Sequence, residues 1–134
     1  MKVVTVDTLQ EGIEKHIRGR EIGAVLVDDG QFFLDLMEHV QYLTERGVDC
    51  FVSGLNFQFT GQPYENIIEV ARNANRMKTL KPQCHFCDVM SNRSSRAVMT
   101  VKLPARPFSD PYIGGYDSGY RASCSNCHEK FQHQ

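Results

Sequence analysis

Four of the five cysteines in this 134-residue chain stand as two C-x-x-C pairs, Cys84 with Cys87 and Cys124 with Cys127, with 36 residues between the pairs. Two intervening residues let both thiolates of a pair face one centre, and two such pairs complete a tetrahedral four-sulfur site for which zinc is the expected ion. Four sulfurs leave no open position for water, so the metal would be structural and would tie the ends of a long loop over 88–123. Two disulfides or a redox dithiol are the competing uses of these thiols. Cys50 lies in an apolar run and reads as a buried, inert thiol. His85 and His128 adjoin the pairs and could stand in as ligands, but with four cysteines present each reads as a bystander.

A second chemical feature is AVLVDDGQFF, which sets Asp28 and Asp29 immediately after an apolar run. If that run is a strand of a parallel sheet, the two acids emerge at its carboxyl edge, where α/β proteins bind ligands. An Asp in that place is the Walker B arrangement, which holds magnesium in phosphoryl transfer. Two solvated acids at a strand end, or an N-cap for the next helix, would look the same. The partner motif, G-x-x-x-x-G-K-[ST], cradles phosphates with backbone amides and a lysine. No glycine in these residues is followed by lysine, so the cradle is absent from them.

The elements that must carry these groups read as α/β in the first half. Thr8 and Glu11 have capping-box spacing, and Leu9, Ile13 and Ile17 recur four apart before Gly19, which predicts an amphipathic helix over 8–18. A strand over 22–27 follows. Phe33, Leu36, Met37, Val40 and Leu43 keep helical spacing up to Gly47, and 48–53 is a second apolar, strand-like run. Strand, helix, strand implies a parallel pair with a right-handed crossover. One more helix is expected over 64–75. Beyond it, prolines at 82, 104, 107 and 111 and the two cysteine pairs mark a loop-rich part with short strands near 77–83 and 96–103. The expected organisation is an α/β piece over 1–76 and a small zinc-binding lobe over 77–134.

The size, 15.3 kDa with 41% hydrophobic and 23% charged residues, suits one globular domain of this kind. No apolar run reaches the length of a membrane span, and MKVVTVDTLQ lacks a signal-peptide core, so a cytoplasmic location is expected and membranes are not. The net charge of −1 is unevenly spread: residues 72–106 hold 8 Lys and Arg against 1 acid, whereas 1–71 hold 5 against 12. That basic stretch could face phosphate, nucleic acid or an acidic partner, or be a solvated face. It lacks the interleaved aromatics that stack single strands, which argues against a nucleic-acid ribbon.

Taken together, DDGQFF (28–33), GLNFQFTGQPY (54–64), CHFC (84–87), IGG (113–115) and a Tyr four residues before CSNC (124–127) resemble the type II thymidine kinases, a zinc-containing, typically tetrameric family. The order and spacing of these signatures match over 20–131. The resemblance implies a phosphate-loop-kinase-like parallel sheet with a zinc lobe and a lasso loop, and transfer of phosphate from ATP to the 5′-hydroxyl of thymidine. It assigns magnesium to Asp28, and to Asp29 the base that takes the 5′-hydroxyl proton, a position normally Glu. It places Phe32, Leu55, Phe59 and Tyr64 around the base, Thr100 before the lasso, Tyr112, Gly114 and Gly115 within it, and Tyr120 as the lasso tyrosine. Without the family, Phe32, Leu55 and Phe59 read as ordinary core residues and Gly114–Gly115 as a turn.

Departures from the family accompany these matches. Thr60 replaces a basic residue, Lys102 stands where Arg is common, and the lasso is one residue longer. In the family a strand, the phosphate loop and a helix come before the first helix seen here. The expectation is therefore a kinase portion inactive by itself, which binds thymidine or a related nucleoside and either self-associates or takes a complementing phosphate-loop polypeptide. The alternative is a kinase-derived zinc domain that binds a nucleoside or a protein without catalysis.

Overall fold

The computed structural model describes residues 2–91, 94–103 and 119–131. They fall into two compact units, Met1–Asn56 with Tyr64–Met77, and Phe57–Pro63 with Lys78–Gln134. A single cut after residue 76 misses the segment 57–63. A bridge between Phe57 and Pro63 folds that segment back on itself, and the His128 ring bonds the Phe59 carbonyl at 3.0 Å, which places it in the second unit.

The first unit is built on a parallel pair, β1 (Ala24–Val27) and β2 (Asp49–Val52), with Leu26 opposite Phe51 and Val27 opposite Val52. The crossover between them is α2 (Leu36–Thr44), and α1 (Leu9–His16) and α3 (Glu65–Asn73) complete the unit. Successive strand residues face opposite sides. Val25, Val27, Cys50 and Val52 share the packed side, while Leu26 and Phe51 share the other and are 65% and 60% exposed. The core contains Ile13, Val27, Leu36 and Leu43.

Helix α1 starts as its sequence indicates: Thr8 Oγ1 accepts the Glu11 amide at 3.2 Å. A second cap comes from far along the chain, because the Asp35 carboxylate accepts the amides of Leu9 and Gln10 at 3.4 and 3.0 Å. The helix expected from Phe33 begins regularly only at Leu36, after a short 3-10 turn over Gly30–Phe32. Asn66 on α3 braces this stretch, its Nδ2 donating to the carbonyls of Gly30, Gln31 and Phe33 at 3.1, 3.2 and 2.9 Å, while the Gly30 and Phe33 carbonyls also close tight turns by accepting the Phe33 and Leu36 amides.

The second unit pairs β3 (Met99–Lys102) with β4 (Tyr120–Ser123) in antiparallel register, Thr100 opposite Ala122 and Lys102 opposite Tyr120. The strand expected near 77–83 is absent among the described residues and is replaced by an isolated bridge between Gln83 and Arg96. Pro82 explains this: its carbonyl accepts the Ala97 amide at 2.7 Å, but proline has no N–H to return. Two helices arise where loops were expected, α4 (His85–Ser91) and α5 (Ser125–Phe131). Each starts on a cysteine pair, with Asp88 N bonded to the Cys84 carbonyl and His128 N to that of Cys124, at 3.1 and 2.9 Å. Phe86 and Phe131 stack at 4.4 Å beside a core of Cys84, Ala97 and Val101.

Candidate functional site

In the second unit the four cysteine sulfurs lie within 4.8 Å of one another. Cys87 Sγ is 3.8 Å from Cys124 Sγ and 3.6 Å from Cys127 Sγ. An ion with zinc–sulfur bonds of about 2.3 Å in a tetrahedron holds its sulfurs about 3.8 Å apart, so the donor set fits zinc, whereas bonded sulfurs would stand about 2 Å apart. Starting each helix on its first cysteine puts the second one turn later, on the same side. Burial pushes the Cys84 thiol up, but backbone amides of Cys87 and Cys124 and the thiols of Cys127 and Cys87 outweigh it and bring it down to about 7. Cys127 is pushed up to about 12, first by burial and then by the thiols of Cys124, Cys87 and Cys84. A cation at the centre resolves this opposition, since it lets all four ionise together. When bound, zinc would supply cross-linking of α4 to α5 and no chemistry. His85 meets Phe86 edge-on at 5.5 Å, and buried His128 serves Phe59, so both rings stand outside the cluster.

In the first unit Asp28 and Asp29 follow β1 at the carboxyl edge of the parallel pair. Asp28 Oδ1 accepts the Ser53 hydroxyl at 2.5 Å and the Asp29 amide at 3.1 Å. Ser53 follows β2, so the ends of the two strands meet at this carboxylate. Oxygen donors of this kind suit a hard cation such as magnesium. Asp29 takes a left-handed backbone, φ 52° and ψ 43°, and is the one non-glycine residue with positive φ among those described. Such a conformation costs about 1–2 kcal/mol, so neighbouring contacts must hold it. One is Gln31 Nε2, which donates to Asp29 Oδ1 at 3.2 Å; Gln31 Oε1 in turn accepts the Leu55 amide at 3.0 Å.

The residues expected around a nucleoside divide between the units. Phe32, Leu55 and Tyr64 belong to the first, where Phe32 is 62% and Leu55 50% exposed. In the second, the rings of Phe59 and Tyr120 stand 6.0 Å apart, and the Lys102 ammonium lies over both at 5.2 and 5.7 Å. Thr100 is two residues before Lys102 on β3 and faces the same side. Tyr112, Gly114 and Gly115 lie outside the described residues. Gln31, Ser53 and Asn66 were not anticipated. Only Gln31 had a signal, a polar residue between the acids and Phe32, and no spacing rule says that such a residue is buried.

An α/β unit with paired acids at the carboxyl edge, together with a four-cysteine cluster that fits zinc, defines the class. The family model described as thymidine kinase matches residues 2–128. Among curated relatives, the thymidine kinase of Mesoplasma florum is 31% identical over 124 residues, covering 90% of this chain and 59% of its own length. That of Pseudothermotoga lettingae is 33% identical over 117 residues (87% and 59%), and that of Mycoplasma capricolum subsp. capricolum is 27% identical over 126 residues (93% and 59%). The chain belongs to the thymidine kinase family. It spans about 59% of the length of these relatives. Among the described residues, no helix is long and apolar enough to cross a membrane.

Proposed function

We propose that these residues form the nucleoside-binding and zinc-binding part of a kinase that phosphorylates thymidine, or a related nucleoside, at its 5′-hydroxyl. In this reading the Asp29 carboxylate accepts the hydroxyl proton as the 5′ oxygen bonds to the γ-phosphorus of ATP, and ADP leaves with the electrons of the broken bridging bond. Asp28 would hold magnesium, which when bound neutralises charge on the phosphates. Phe32, Leu55, Phe59 and Tyr64 would bury the flat base, with Thr100 and Tyr120 beside it. The observation that carries the reading is the pair of acids at the strand ends, each with a defined partner, Ser53 for Asp28 and Gln31 for Asp29.

Phosphoryl transfer depends on positioning the triphosphate, and residues 1–134 hold no phosphate loop. We therefore assign that task to a polypeptide segment outside them. Leu26 and Phe51, adjacent and exposed on one side of the β1–β2 pair, support a partner over that side. The test is turnover with ATP, magnesium and thymidine. The 134 residues alone should show none above background, and addition of a phosphate-loop segment from a relative should restore it. Asp29→Asn should then abolish turnover. Activity of the residues alone, or a restored activity indifferent to Asp29→Asn, would defeat the proposal.

A non-catalytic binding domain is the second reading, and the observation that favours it is Asp at 29, one methylene shorter than the family's Glu. Thymidine binding without turnover in the complemented protein would select it.

A further inference from the structure

Gln31 partners Asp29 but neither gives nor takes a proton in the transfer, and it is 95% buried, with 5% of its surface exposed. Both ends of its carboxamide are used. Nε2 donates to Asp29 Oδ1 at 3.2 Å, and Oε1 accepts the backbone amide of Leu55 at 3.0 Å. The surrounding chain leaves room for it, since a Cβ on Gly54 would stand 2.8 Å from that Oε1. Asn66, bonded to the Gly30, Gln31 and Phe33 carbonyls, fixes the turn from which the side chain projects. With Oδ1 engaged, no donor among the described residues bonds Asp29 Oδ2.

We infer that Gln31 is a positioning residue for Asp29: its carboxamide fixes the carboxylate with Oδ2 open to an incoming hydroxyl, and it does so from the backbone of Leu55. One side chain therefore sets the base and the Leu55 backbone together. An aspartate reaches less far than a glutamate, so its usefulness depends on being held still, because a displacement of about 1 Å can cost about 100-fold in rate. The inference rests on the reading of Asp29 as the base.

The test has two arms, using Gln31→Leu and Gln31→Glu, with slow exchange of the buried Leu36 amide as the check that each variant folds. In the 134-residue chain, Gln31→Leu should speed exchange of the Leu55 amide about tenfold or more. Gln31→Glu retains the acceptor and should leave that amide within about threefold of the original, while setting a carboxylate against Asp29. In the chain complemented with a phosphate-loop segment, both variants should lose kcat about 100-fold with thymidine KM changed less than about threefold. A Glu variant with undiminished kcat, or a Leu variant with unchanged Leu55 exchange, would overturn the inference. If the complemented chain does not turn over, the functional reading fails and the chain-only arm still decides the contact. There, Asp29→Ala should shift and speed exchange of the Gln31 side-chain amide protons, and an unmoved resonance would overturn it.

Discussion

The Asp28 carboxylate and the Ser53 hydroxyl, 25 residues apart in the chain, meet at 2.5 Å and join the ends of two parallel strands. The serine holds the orientation of an acid whose one other donor among the described residues is the Asp29 amide. Ser53→Ala should lower folding stability by about 1 kcal/mol, read by urea unfolding. In the complemented kinase it should raise the magnesium concentration needed for half-maximal rate. An unchanged magnesium dependence would mean that Asp28 does not need its partner.

The purified protein should hold one zinc per chain. Chelation, or Cys124→Ala, should release the amides of Ala97 and Val101 to rapid exchange while Val27 and Leu36 remain protected, because the ion joins only α4 and α5. Uptake at pH 7.5 should release protons. With Cys84 near 7 and Cys127 near 12 before the metal arrives, Cys127 at least must give one up. Affinity should therefore rise with pH and fail in acid. A pH-independent affinity would contradict thiolate ligation.

Cys50 should be the one thiol of the zinc-loaded protein that reacts with alkylating reagents, and slowly at neutral pH. Burial, and then the charge of Asp49, push its thiol up, and the thiolate is the nucleophile. Its rate should climb with pH, and Asp49→Asn should speed it at neutral pH. Five reactive thiols before chelation would argue against the metal site.

A Cβ on Gly54 would lie 2.6 Å from Ile67 Cδ1 as well as close to Gln31. Gly54→Ala should destabilise the first unit by about 1–3 kcal/mol. Ile67→Val removes that methyl, so the double variant should recover part of the loss in a double-mutant cycle. Simple additivity would show that the crowding lies elsewhere.

The exposed pair Leu26 and Phe51 should make the chain self-associate when no complementing segment is present. Leu26→Lys with Phe51→Lys should yield a monomer of about 15 kDa by light scattering. A wild-type monomer at micromolar concentrations would leave that side of the sheet without a partner.

Spacing made the cysteine pairs legible, since i, i+3 thiols serve one ion in a knuckle or on a helical turn. It did not distinguish the two, and α4 and α5 were missed because seven-residue helices that begin on a cysteine cluster are too short to show a long periodic run. The β1 and β2 strands were readable as apolar runs, but Leu26 and Phe51 look the same in composition whether covered or bare. Pro82 was visible, and it was a reason to doubt the strand at 77–83. Asn66 was out of reach, and Gln31 stood out only as a polar residue beside the acids, because their roles lie in bonds to groups that come together only after β1, β2 and α3 have formed.

The cap that Asp35 places on Leu9 and Gln10 also bears on the order of assembly. An eight-residue helix has too few turns to persist by itself in water, and among the described residues two of the three side-chain bonds that cap its amino terminus come from Asp35, in the turn before α2. Helix α1 is thus a borrower of structure. It should therefore dock after the β1–α2–β2 crossover exists and show faster amide exchange than α2, because its capping depends on a carboxylate from the turn that leads into α2.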